Sequence, residues 1–115
     1  MANAEPVLID GIYYQLNAKK GIASVVNENG TSYTSSYSGD IVIPESIVYE
    51  EVTYSVIAIG TRAFYYCQGL TSVTIPISVT SIMDQAFIYC SDMASVTVPN
   101  SVTSIGTDAF RNCVA

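Results

Sequence analysis

The chain has 115 residues, 50% of them hydrophobic and 12% charged, with a net charge of -6. That suits at most one domain with a real core and argues against a disordered chain. Its four cations, Lys19, Lys20, Arg62 and Arg111, are scattered, so neither nucleic acid nor an anionic membrane surface meets a basic patch, and the absence of histidine removes His-based triads, general bases and metal ligands together.

From the N-terminus, residues 1–6 read as a disordered lead-in with neither the basic nor the apolar region of a signal peptide. Val7–Ile9, Ile12–Leu16 and Ile22–Val26 are β-rich. Gly21 closes the short polar stretch Asn17–Gly21, where a turn needs a positive φ, so Ile12–Val26 is expected to form a β-hairpin. Asn27–Asp40 is polar loop chemistry, and its Asn29-Gly30-Thr31 matches a glycosylation acceptor. Residues 1–40 are thus read as a β-rich cap and loop. No apolar run approaches the ~18 residues of a membrane span, so no membrane insertion is expected.

Residues 41–115 read as a solenoid of three coils. Val79–Ser101 superposes on Val56–Ser78 when shifted back 23 residues, and on Val102–Ala115 when shifted forward. Val56/Val79/Val102, Ile59/Ile82/Ile105, Ala63/Ala86/Ala109, Phe64/Phe87/Phe110 and Cys67/Cys90/Cys113 are identical in all copies. A period in the twenties means coils that bury their faces only against their neighbours. Ile41-Val42-Ile43-Pro44 matches Val73–Pro76, but Pro44 and Pro76 lie 32 residues apart, so the first coil carries nine extra residues. They fall around Ile47–Tyr54 and suggest a β-excursion. Each later coil is expected to hold a short strand such as Val79–Ile82, a short helix such as Asp84–Cys90, and a strand such as Ser95–Val98 ended by a proline. Thr61, Asp84 and Thr107 then read as helix N-caps. Met83 stands where the flanking coils have Gly60 and Gly106, so that position does not require a positive φ.

The run IP-x-S-VTSI-x-x-x-AF-x-x-C-x-x-(L/M)-x-SVT-(I/V)-P resembles the BspA-like leucine-rich repeat family of bacterial surface proteins, over Ile41–Ala115. The upstream DGIYYQL and YSGDIVIP segments are similar to N-terminal caps of such proteins. The resemblance implies an α/β repeat, a right-handed leucine-rich-repeat solenoid with one short helix per coil and a β-hairpin cap. It also implies export to the cell surface and adhesion rather than catalysis. On that footing the chain is expected to be secreted or surface-anchored, a mature region whose signal has been removed.

Several residue sets invite chemistry. Cysteines 23 apart stack in a column, which does not converge on a metal, and none has a histidine or basic neighbour to make it a nucleophile. A buried column of thiols is the expected reading. Glu50-Glu51 would point to opposite faces of a strand, unlike the paired carboxylates of a glycosidase. No cofactor or metal is expected. Eight of nine tyrosines precede residue 67, and exposed tyrosine binds proteins and sugars well. Tyr65/Ile88/Arg111 and Tyr66/Tyr89/Asn112 vary from coil to coil and are expected to face outward. Ser72, Thr74, Ser95 and Thr97 alternate with inward-facing Val73, Ile75, Val96 and Val98, making an uncharged hydroxyl surface on the strand side. The expected binding residues are therefore Ser72, Thr74, Ser95, Thr97, Tyr65, Tyr66 and Tyr89, with an extracellular protein or glycan as partner.

Two other readings stay open, a structural spacer within a longer repeat protein and, remotely, a hydrolase. The chain stops at Cys113-Val114-Ala115 with no polar capping segment. An exposed coil edge implies either a truncated chain or end-to-end self-association.

Overall fold

The computed structural model describes residues 6–29, 35 and 37–113. Most of the lead-in, Gly30 and Thr31 of the glycosylation match, the middle of the polar loop, and Val114 and Ala115 lie outside the described residues.

The N-terminal strands form two successive hairpins. β1 (Val7–Ile9) and β2 (Ile12–Asn17) turn on Asp10 and Gly11, with φ of 50° and 87°. Two positive φ values in a two-residue loop mark a type I′ turn, for which Asp-Gly is well suited. β2 then pairs antiparallel with β3 (Ile22–Val26), from Asn17↔Ile22 to Tyr13↔Val26. Gly21 has φ 66° and donates its N–H to Asn17 O at 2.9 Å.

β3 joins this cap to the repeats by pairing parallel with β6 (Val52–Ile59). The coils continue that sheet through β8 (Ser81–Ile82) and β10 (Ser104–Ile105). Ala58, Ser81 and Ser104 pair in turn, as do Ile59, Ile82 and Ile105, one period apart. A second sheet has β4 (Gly39–Val42), β7 (Leu70–Thr74) and β9 (Ser95–Thr97) in parallel, with Ser72↔Ser95 and Thr74↔Thr97.

At the place of the first coil's extra residues, β5 (Ser46–Tyr49) pairs antiparallel with β6. Glu50 and Glu51 are not strand residues pointing to opposite faces. They form the two-residue turn between Tyr49 and Val52, with φ of 51° and 70°. Two glutamates in left-handed backbone are strained and repel each other. The double change Glu50→Asn, Glu51→Gly is therefore expected to stabilise the chain by about 1 kcal/mol. The urea midpoint measures this, and an unchanged or lower midpoint would refute the strain.

The expected helix is absent: among the described residues the chain forms strands and turns only. From Gly60 to Cys67, and again from Met83 to Cys90, alternate N–H groups point in two directions. Ala63, Tyr65 and Cys67 donate back to Gly60, Arg62 and Phe64 within the coil. Arg62, Phe64 and Tyr66 donate to Asp84, Ala86 and Ile88 of the next coil at 2.7–3.1 Å. Gln85, Phe87 and Tyr89 repeat this onto Thr107, Ala109 and Arg111. Positive φ values at Arg62, Tyr66, Gln85, Tyr89, Asp108 and Asn112 place the third residue of alternate turns in the conformation a type II turn needs. A helix would spend every N–H inside one coil. This row of turns spends half of them holding the coils together.

Asp84 is accordingly not a helix cap, and its Oδ1 accepts the Thr107 N–H of the next coil at 2.8 Å. Gly60 and Gly106 are not at positive φ. Their reason is space, since a Cβ at Gly60 would lie 2.8 Å from Val25 O. At Gly106 it would meet the Asp84 carboxylate and backbone.

The core is a column. Phe64, Phe87 and Phe110 stack with centroids 4.9 and 5.1 Å apart and planes within 3° and 5° of parallel. Tyr37 covers the first ring at 4.7 Å. Around them sit Val56, Val79, Ile59, Ile82, Ala63 and Ala86, all buried. Buried Asn27 donates Nδ2–H to Arg62 O at 3.0 Å and ties the cap to the turn row.

Candidate functional site

Two outward surfaces of the coils carry the residues singled out in the sequence, the face of the β4-β7-β9 sheet and the row of turns. On the sheet, Thr74, Ser95 and Thr97 are exposed and Ser72 is half-buried. Strand register brings these four side chains together, since Ser72 sits beside Ser95 and Thr74 beside Thr97. The surface is not uncharged. Asp40 on β4 accepts hydrogen bonds through Oδ1 from Thr71 Oγ1 at 2.7 Å and Ser72 Oγ at 2.8 Å. Those two bonds hold its carboxyl below the usual carboxylate range. Asp40 thus occupies the Ser72 hydroxyl from within the protein. Val42, opposite Thr74, exposes 68% of its surface on this sheet. The inward set is correct for Val73 and Ile75, whereas Val98 is 38% exposed at the strand end.

The turn row gathers Tyr65, Tyr66 and Tyr89 into one edge-on cluster. Ring centroids are 6.4 Å apart for Tyr65–Tyr66, 6.3 Å for Tyr65–Tyr89 and 5.5 Å for Tyr66–Tyr89. Tyr66 is 57% exposed and the other two are half-buried. Tyr66 and Tyr89 hold φ of 55° and 62°, a conformation that costs a bulky side chain about 1–3 kcal/mol. Ile88 does not face outward as its coil-to-coil variation suggested. It is buried, and its backbone carbonyl accepts the Tyr66 N–H.

Comparison with known proteins decides what this repeat is. A family model described as the BspA type leucine rich repeat region matches residues 32–115 in six copies. The chain belongs to the BspA-type leucine-rich repeat family. A leucine-rich repeat protein from Bacteroides capillosus is 28% identical with a TM-score of 0.77, over 93% of this chain and 75% of that one. A leucine rich cell surface protein from Faecalibacterium prausnitzii is 28% identical with a TM-score of 0.72, over 96% of this chain and 29% of that one. A T. pallidum leucine rich repeat protein, 24% identical at a TM-score of 0.72 over 92% of this chain and 45% of that one, shares the fold. No curated protein matches.

Within this BspA-type repeat the cysteine column has a hydrogen-bonding role. Cys90 donates its thiol to Phe64 O at 3.1 Å, and Cys113 donates to Phe87 O at 2.7 Å. Cys67 donates to Ser35 Oγ at 3.2 Å, and Ser35 Oγ donates on to Ala63 O at 2.8 Å. A small thiol that reaches back to the preceding coil fits this site better than an alanine of similar size. Burial pushes the Cys67 thiol up, and contact with Cys113 followed by burial pushes Cys90 up. Both are thiols that resist ionisation, unlike an activated nucleophile.

Proposed function

We propose that this chain is a non-catalytic binding module at the bacterial cell surface that engages an extracellular protein or glycan. The Tyr65–Tyr66–Tyr89 cluster, with Tyr66 exposed and the other two half-buried, carries the reading. Three amphipathic rings in mutual contact offer a large, low-entropy surface to a partner. Two of them sit in backbone that a tyrosine adopts at a cost, where the third coil has Asn112. Kinship to a cell surface protein supports the location. The hydroxyl sheet face is the lesser surface, because Asp40 already engages Ser72.

The test is binding of the purified chain to an immobilised panel of extracellular proteins and glycans at moderate salt. Tyr66→Asn and Tyr89→Asn copy the third coil and suit the left-handed backbone, so they spare the fold. Together they are expected to weaken binding at least tenfold without lowering the thermal midpoint. Unchanged affinity in the double variant would remove the cluster from the site. A blank panel from folded protein would favour the spacer reading.

A further inference from the structure

The turn row has a second feature, at the opposite end from Tyr66 and Tyr89. Where each coil enters the row, Thr61, Asp84 and Thr107 stack at equivalent positions. A recess of about 290 Å³ opens there, lined by Thr61, Arg62, Asp84, Gln85 and Thr107. A neighbouring recess of about 370 Å³ shares Thr61 and Asp84 and adds an apolar wall of Ile82 and Met83. The two make one shallow groove across three coils.

Asp84 uses Oδ1 for the Thr107 N–H. Its Oδ2 makes no hydrogen bond to another described residue, and neither do the Thr61 and Thr107 hydroxyls. Gln85 accepts from the Arg62 guanidinium at 3.1 Å through Oε1, which fixes its amide and leaves its NH₂ pointing away from that bond. The groove is therefore lined by three planar polar groups, those of Arg62, Asp84 and Gln85, by the hydroxyl residues Thr61, Ser81, Ser104 and Thr107, and by a thioether flank. Adjacent hydroxyls of a pyranose both donate and accept, and they match planar carboxylate and amide groups in pairs. The apolar face of the ring can lie on Met83, which is 42% exposed.

We propose that this groove binds a hexose unit of a neutral glycan. The volume takes one ring with its hydroxyls. One carboxylate and one guanidinium leave the groove without net charge, and the overall charge of -6 disfavours acidic sugars. The site goes beyond the tyrosine surface and is separable from it.

The test titrates maltose, lactose and mannobiose separately into ¹⁵N-labelled protein and follows backbone amide shifts. At least one sugar is expected to give saturable shifts at Thr61, Arg62, Asp84, Gln85 and Thr107. Asp84→Asn keeps an oxygen for the Thr107 N–H but turns the free acceptor into a donor. It should weaken sugar binding at least tenfold while the thermal midpoint holds. Thr107→Val, which preserves shape, should weaken it severalfold and serves if Asp84→Asn perturbs the fold. No saturable shift with any of the three, or binding unmoved by both variants, overturns the proposal. Shifts centred on Tyr66 and Tyr89 also overturn it and transfer the sugar to the tyrosine surface. A sugar blank beside a panel hit that depends on Tyr66 overturns it too, and leaves the reading of the preceding section intact.

Discussion

Phe87→Ala is expected to remove about 4–5 kcal/mol of stability, at the upper end for a buried phenylalanine. Phe87 is fully buried and has a ring stacked on each side, at 4.9 and 5.1 Å. Truncation loses the transfer term, leaves a cavity between two rings that cannot close, and deletes two stacking contacts of about 0.5–1.5 kcal/mol each. A domain of this size holds about 5–15 kcal/mol in total, so the variant retains a folded population only under mild conditions. With a urea slope of about 2 kcal/mol/M, the midpoint falls by about 2 M.

The column predicts a gradient as well as a loss. Phe110 is only half-buried and has one stacking partner among the described residues, so Phe110→Ala should cost about half as much. Phe87→Leu keeps most of the volume but loses the stacks and should cost about 1–2 kcal/mol. If Phe110→Ala proves as damaging as Phe87→Ala, stability does not reside in ring stacking, and the turn-row hydrogen bonds become the main link between coils.

How much of this was legible follows from where each bond goes. The 23-residue offset gives the strand registers directly, because identical positions in successive coils become ladder partners: Ile59, Ile82 and Ile105 pair in line. The phenylalanine column and the buried thiols follow from the same offset. The row of turns does not. Ala-Phe-x-x-Cys behind Thr or Asp has the composition and spacing of a capped helix, and composition cannot show that Phe64 N–H donates to Ala86 O in another coil. The signal that existed was weak. Asp108 and Asn112 tolerate left-handed backbone, and they sit at the two positions where Arg62, Gln85, Tyr66 and Tyr89 hold positive φ. The same blindness hid Asp40, whose part in the sheet face depends on β4 pairing with β7, and the groove, whose carboxylate was assigned to capping its own coil.

Tyr37→Phe tests a single hydroxyl that locks the cap hairpin while its ring covers the first coil. The Tyr37 hydroxyl accepts the Tyr13 N–H at 2.8 Å and donates to Val26 O at 2.6 Å. Tyr13 and Val26 are the end rung of the β2-β3 hairpin, so the hydroxyl bridges a rung that the strands leave open. Its ring lies against Phe64. Phenylalanine keeps the ring but orphans one part-buried donor and one buried acceptor, at about 1–3 kcal/mol each. The expected loss is about 3 kcal/mol. A second readout separates this bridge from general loosening. Burial is the main cause raising the Tyr37 hydroxyl above the ordinary tyrosine value, and burial followed by the Asp10 charge raises Tyr14 to about 12. The neutral form is the one the fold prefers, so this stability is fully present below pH 10 and is lost as pH rises through the folded values. Wild-type stability should therefore fall from pH 10 toward 12 and beyond. Tyr37→Phe should start lower at neutral pH and fall less steeply, since only Tyr14 of the pair still titrates. Parallel pH profiles for the two proteins would mean that the Tyr37 hydroxyl reaches water and does not bridge Tyr13 and Val26.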